Sequence, residues 1–212
     1  MTKTEQSNET ASKKSVQISA KHSPIQKRWR DLSSLEKLRA ATRAAMAMGG
    51  HAVTVNLSPD LERILKPHPD PIRFLEKRVN KELTKAGMQG LPLLLALEAT
   101  RTSTSRLHLH GLLIPENFPM HAVQAAMRKA AGFVCGRAGS RQFKAERLYD
   151  SDGWTNYIIR DFSITRKALQ ISVSRDLWWI SHSMTKTAKA HHTSGFSSPA
   201  ANLATSPSYR AS

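Results

Sequence analysis

The chain has 212 residues, 32 of them Lys or Arg and 16 Asp or Glu, giving a formal charge of +16 and a pI near 10.5. That length suits one domain with tails, no apolar run nears the roughly 18 residues of a spanning helix, and residues 1–20 lack the apolar core of a secretory signal. A single cysteine, Cys135, excludes an internal disulfide framework and a Cys-rich zinc site. What remains is a basic, cytoplasmic domain with no membrane and a polyanionic partner, of which nucleic acid is the commonest.

Residues 1–30 carry seven Lys/Arg against two Glu and almost no apolar side chains, and they read as a disordered basic tail. Residues 32–48 are Ala-rich and helix-forming, stopped by Gly49-Gly50. Residues 51–57 (HAVTVNL) alternate and predict a strand. Residues 71–87 place Ile72, Leu75, Val79 and Leu83 on one helical face, with charged residues opposite. Residues 91–99 (LPLLLALEA) predict a buried strand, 100–105 a polar turn, and 106–115 (RLHLHGLLIP) a second strand forming a hairpin with the first. A helix over 119–132, a strand over 142–148, a short helix over 154–162 and a last helix over 174–190 follow, with a further short strand at 168–173. Residues 191–212 are mostly Ser, Ala, Pro and Thr and read as a second disordered tail. The folded unit is thus expected over residues 31–190. Residues 31–183 keep +8 of the charge, so the body itself is basic.

From residue 51 to 148 the order is strand, helix, strand, strand, helix, strand. That order predicts an α+β fold, a ferredoxin-like (split βαβ) antiparallel sheet with helices packed on it. Such a fold fixes no chemistry on its own.

The chemistry is suggested by His108 and His110. The two-residue period of a strand puts both imidazoles on one face, about 7 Å apart, with Leu107 and Leu109 on the other. Across the predicted hairpin, Glu98 lies near them. Two imidazoles and one carboxylate, with open positions for water or phosphate, suit Mn²⁺ or Mg²⁺ acting on a phosphodiester. Zinc would lack a fourth protein ligand. An isolated His-x-His is more often a pair of ordinary residues on a polar face; Glu98 and the basic charge shift the balance toward a metal. Tyr157 and Arg160 lie three apart on the short helix and share a face, with Trp154 one turn earlier to anchor it. A guanidinium beside a phenol favours the phenolate and also holds phosphate, so the pair suits a nucleophile.

These stretches resemble the HUH endonucleases. His108-Leu109-His110, followed by Gly111-Leu112-Leu113, is similar to their His-hydrophobic-His motif, and residues 51–59, ending in Asn56-Leu57-Ser58-Pro59, resemble their weaker first motif. Glu98 takes the place of the third metal ligand many members carry on the preceding strand, and Tyr157 that of the catalytic tyrosine. The resemblance spans residues 50–165 and is strongest to single-tyrosine rolling-circle replication initiators of plasmids and filamentous phages. It implies metal-dependent tyrosine transesterification on single-stranded or extruded origin DNA, a 5′-phosphotyrosine intermediate and a free 3′-hydroxyl for synthesis. It also implies that a host helicase and polymerase do the remaining work. The family usually has Lys where Arg160 stands, and the two cations differ in geometry. Single-tyrosine transposases and relaxases share this chemistry, although relaxases tend to carry an N-terminal tyrosine and none precedes Tyr149 here. A noncatalytic binder on the same fold would be expected to show aromatics on its central strands.

Of the other residues, Tyr149 sits next to Asp150 and Tyr209 in the C-terminal tail, neither in a helix. His191-His192 reads as a solvated pair, Cys135 as a small buried residue, and Trp178-Trp179 as part of the last helix, one of the two packing on the sheet. Arg141, Phe143, Ala145 and Arg147 would share one face of their strand, with Lys144 and Glu146 on the other. Lys13, Lys14, Lys21, Lys27, Arg28 and Arg30 would add nonspecific phosphate contacts.

Overall fold

Apolar residues at every second strand position and every third or fourth helical position sort themselves onto the two faces of one sheet. The computed structural model describes residues 27–102, 106–172 and 174–194. After a 3₁₀ turn at Trp29–Asp31, the elements in chain order are α1 (Ser34–Ala47), β1 (His51–Asn56), α2 (Pro59–Leu65), α3 (Pro71–Lys85), β2 (Leu93–Ala99) and β3 (Leu107–Leu113). They continue with α4 (Met120–Ala130), α5 (Gly136–Ser140), β4 (Phe143–Arg147), α6 (Ser151–Ile159), α7 (Phe162–Leu169), β5 (Trp178–Ile180) and α8 (His182–Ser194). The basic residues before Lys27, Tyr209 and most of both expected tails lie outside the described residues. No helix among the described residues is long and apolar enough to cross a membrane.

Local signals explain most boundaries. Ser33 and Glu36 form a reciprocal capping box at the start of α1, and the helix stops where Gly49 takes a φ of +70°. Ser58 caps α2, and Asp70 caps α3, with Pro59 and Pro71 at the first helical positions. Asp150 caps α6 by accepting from the Gly153 amide at 2.9 Å.

The sheet order is β4-β1-β3-β2-β5, and every neighbouring pair is antiparallel. The chain therefore crosses from β1 to β2 over β3, and from β3 to β4 over β1. The class is α+β with helices on both faces of an antiparallel sheet. On one face Val53, Val55, Leu93, Leu95, Leu97, Leu107 and Leu109 pack against Leu75, Val79 and Leu83 of α3 and Val123 and Met127 of α4. On the other, Leu94, Ala96 and Leu112 pack against Leu38, Ala41 and Ala45 of α1, Ile158 of α6, and Met184 and Ala188 of α8.

Several expectations need correcting. Trp178 and Trp179 lie on β5, not on the last helix, with Trp179 opposite Leu95 and buried in the first core. Residues 168–172 are not a strand, and residue 173 lies outside the described residues: α7 runs to Leu169, and Gln170 ends it with a φ of +54°. The helix predicted over 154–162 is two, because α6 begins at its Asp150 cap and ends at Ile159 before α7 starts. Cys135 is exposed, carried outward by the loop that precedes α5. His192 is not simply solvated, since its ring meets Trp29 edge-on and its Nε2 lies 2.8 Å from the Lys27 carbonyl oxygen. The described structure reaches past residues 31–190 on both sides: Lys27 is ion-paired with Glu36 at 2.7 Å, and α8 runs to Ser194.

Candidate metal centre

Two cross-strand rows build the site. Strand pairing sets Asn56, His108 and Glu98 opposite one another, and in the next row Lys144, Thr54, His110, Ala96 and Trp178. All of these side chains point to the second face, since alternate residues share a face. Register alone therefore brings Glu98 beside His108 and one row from His110.

The three side chains are buried, and one ligand atom from each lies within 4.8 Å of the others. Glu98 Oε1 is 3.6 Å from His108 Nε2, and Glu98 Oε2 is 3.4 Å from His110 Nε2. The two imidazole rings stand edge-on, 4.5 Å between centroids. Thr54 Oγ1 lies 3.0 Å from His110 Nδ1 and so occupies the far nitrogen, the arrangement that orients a ligating imidazole. Burial, then His108 and Arg160, push the His110 pKa down to about 3. His110 is therefore neutral near pH 7, and its approach to Glu98 is not an ion pair. Glu98 Oε2 and His110 Nε2 are both buried without a hydrogen bond. Two buried polar atoms facing each other unpartnered are unfavourable by themselves. A cation between them removes that conflict, so the donor set fits a divalent metal ion.

Tyr157 stands against this cluster. Its ring is 4.8 Å from that of His110 and stacks on Trp154 at 5.1 Å with an interplanar angle of 12°. Trp154 fixes α6 to the sheet by donating from Nε1 to the Gly111 carbonyl oxygen at 3.0 Å. Gly111 accommodates the tight packing of the central strands, since a Cβ there would collide with the Leu94 carbonyl. Arg160, at the end of α6, lies over the Tyr157 ring at 4.7 Å, with Nη2 4.0 Å from Glu98 Oε1. All five residues singled out from the sequence, Glu98, His108, His110, Tyr157 and Arg160, thus meet at one end of one face. Tyr149 is 90% exposed.

Three further residues went unnoticed in the sequence. Thr54 reaches His110 only through the β1–β3 register. Asp161 is 1% exposed, and Arg101 and Arg160 both bind its carboxylate; the two cations hold its pKa down to about 2. A lone aspartate after a helix is not itself a signal, and Arg101 lies in what reads as an ordinary polar turn. Two clefts open beside the cluster. One of about 440 Å³ is lined by Asn56, Arg106, His108 and Arg141, and one of about 280 Å³ by Arg147, Tyr149, Trp154 and Tyr157. Arg106 is held at 2.6 Å by the buried Glu62 carboxylate. On β4, Phe143 and Ala145 face the first core, leaving Lys144 and Glu146 on the side of the triad. No protein-family model matches the chain, and no curated protein matches it.

Proposed function

We propose that the protein is a single-tyrosine endonuclease of the HUH type, a replication-initiation nickase acting on single-stranded or extruded origin DNA. The observation that carries this reading is the placement of Tyr157 against a buried Glu98–His108–His110 cluster whose facing atoms lack partners. The interleaved strand order, the basic body and the clefts on either side of the cluster support it.

Glu98, His108 and His110 would hold the metal ion, Mn²⁺ or Mg²⁺, which would supply positive charge to offset the negative charge building up on the phosphate. Tyr157 Oη attacks the phosphorus, and the bond from phosphorus to the 3′ oxygen breaks. The electron pair of that bond goes to the 3′ oxygen, which gains a proton as the phenol loses one to solvent. The products are a 5′-phosphotyrosine and a free 3′-hydroxyl. Arg160 lowers the cost of negative charge on the phenolate and on the phosphate. Trp154 limits the phenol to a stacked orientation, which favours productive approach. Attack by a 3′-hydroxyl on the phosphotyrosine runs the step backward and reseals a strand. Unwinding and synthesis would fall to a host helicase and polymerase.

The test is incubation of the full chain with a single-stranded oligonucleotide pool and Mn²⁺, scored for a covalent protein–DNA adduct by denaturing electrophoresis. The wild type forms the adduct, while Tyr157→Phe forms none yet binds the same DNA. An adduct from Tyr157→Phe at the wild-type yield overturns the nucleophile, and nicking undiminished in chelator overturns the metal.

A further inference from the structure

The reaction above leaves the buried carboxylate nearest Tyr157 in the chain, Asp161, without a task. Asp161 follows α6 directly and has almost no exposed surface. Its Oδ1 accepts from Arg101 Nε at 3.0 Å and, in a still closer contact, from Arg101 Nη2. Its Oδ2 accepts from Arg160 Nε at 3.2 Å and Nη2 at 3.1 Å. Arg101 leaves β2 three residues after Glu98, and Arg160 closes α6 three residues after Tyr157. A single carboxylate therefore ties the end of the strand bearing a candidate ligand to the end of the helix bearing the candidate nucleophile.

Charge and exposure argue that this is more than a brace. One guanidinium would neutralise a buried aspartate. Here there are two, and their side chains are 62% and 49% exposed while the carboxylate between them is 2% exposed. Two cations held close on one anion repel each other, and only Arg160 has a second carboxylate in reach, Glu98 Oε1 at 4.0 Å from its Nη2. Each spends Nε and Nη2 on Asp161 and keeps Nη1 for another acceptor. A planar fork of this kind matches a phosphate better than a point charge does.

We propose that Arg101 and Arg160, spread on Asp161, form a binding site for a backbone phosphate of single-stranded DNA. Arg101 is the new contact and Asp161 the positioning residue that fixes both guanidinium planes. The inference rests on the nucleic-acid reading of the adjacent centre, but not on cleavage taking place there.

Binding is measured by fluorescence anisotropy with a labelled single-stranded mixed-sequence oligodeoxynucleotide. The protein is the full-length Tyr157→Phe variant, held in chelator at several salt concentrations. Adding Arg101→Gln weakens binding about tenfold at low salt and makes the log–log salt slope shallower by about 0.7, the value for one lost phosphate contact on a single strand. Arg73→Gln, an exposed arginine on α3 under the opposite face, serves as the control. An affinity and slope for Arg101→Gln equal to those of Arg73→Gln overturn the site. Asp161→Asn separates positioning from charge. Charge counting alone predicts tighter binding from the added positive charge, whereas loss of positioning predicts weaker binding and a shallower slope; tighter binding overturns the positioning role. Should the variants fail to fold, phenylglyoxal modification read by peptide mass spectrometry decides. DNA protects Arg101 and Arg160 but not Arg73, and equal modification with and without DNA overturns the proposal. A slope change for Arg101→Gln alongside a wild type that forms no adduct removes the nickase and keeps the fork. An adduct alongside an unchanged slope does the reverse.

Discussion

The two faces of the central sheet are made by the same strands and finished in opposite ways. Every residue of β2 and β3 is buried, so burial does not distinguish them. On the face under α3 and α4, the side chains from Leu93, Leu95 and Leu97 to Leu107 and Leu109 are all apolar. On the other face, Leu94, Ala96 and Leu112 are apolar under α1 and α8, but the same strands end in Glu98, His108 and His110. Two of the polar atoms there have no hydrogen-bond partner. A local rule obeyed along one face and broken at one end of the other marks where stability has been given up for a site.

The strongest way to break this comparison is one substitution on each face of β3. His108→Ala should reduce Mn²⁺-dependent adduct formation below detection while leaving the melting temperature of the metal-free protein within a few degrees of wild type. Leu109→Ala, one residue away on the apolar face, should cost about 2–5 kcal/mol of stability through lost burial and a cavity. The folded Leu109→Ala protein should still bind Mn²⁺ with wild-type affinity by calorimetry. If His108→Ala unfolds the chain, or Leu109→Ala removes the metal without unfolding, the division of labour between the faces is wrong.

Acid should unbalance the faces next. The His110 pKa falls from its ordinary 6.5 to about 3 in the fold, so between those values the unfolded chain takes up a proton that the folded chain refuses. Stability is therefore intact above pH 6.5 and lost as pH falls toward 3, with a limiting slope of about 1.4 kcal/mol per pH unit. Asp161, lowered from 3.8 to about 2, is charged throughout most of that window and adds its own loss only below pH 3.8. Denaturant melts of the metal-free protein should show the decline beginning near pH 6.5, and His110→Asn should remove that first phase. A first phase that survives the substitution would assign it to another group.

How much of this was visible in the sequence follows from the range over which each interaction acts. The β2–β3 hairpin and the shared face of His108 and His110 depend on two-residue alternation and a short turn, and both are legible. Glu98 beside His108 needs only the hairpin register. Thr54 against His110 needs a β1–β3 pairing across 56 residues, and β5 is three residues long, too short for any period to show. The start of α2 at Ser58-Pro59 is a cap followed by proline, a local signal that overlaps the end of the Asn56-Leu57-Ser58-Pro59 motif. Asp161 escaped because nothing local marks a carboxylate that is buried by two arginines, one of them 60 residues away.

The smallest expected effect tests how the polar end is held in shape. Trp154 touches the site through its Nε1 bond to Gly111, its stack on Tyr157 and an edge-on contact with the His110 ring at 5.8 Å. Gly111 lies in the central strand between β1 and β2, so its carbonyl oxygen keeps a second lone pair for Trp154 while the ladder uses the first. Trp154→Phe deletes the hydrogen bond and keeps an aromatic face for stacking. It should cost about 1 kcal/mol and lower the melting temperature by about 2–4 °C. If the hydrogen bond sets the angle at which α6 presents Tyr157, adduct formation should slow several-fold with oligonucleotide affinity unchanged. If adduct formation keeps its wild-type rate, stacking alone aims the phenol, and the polar end depends on the apolar contacts of α6 for its geometry, much as the opposite face depends on α3 and α4.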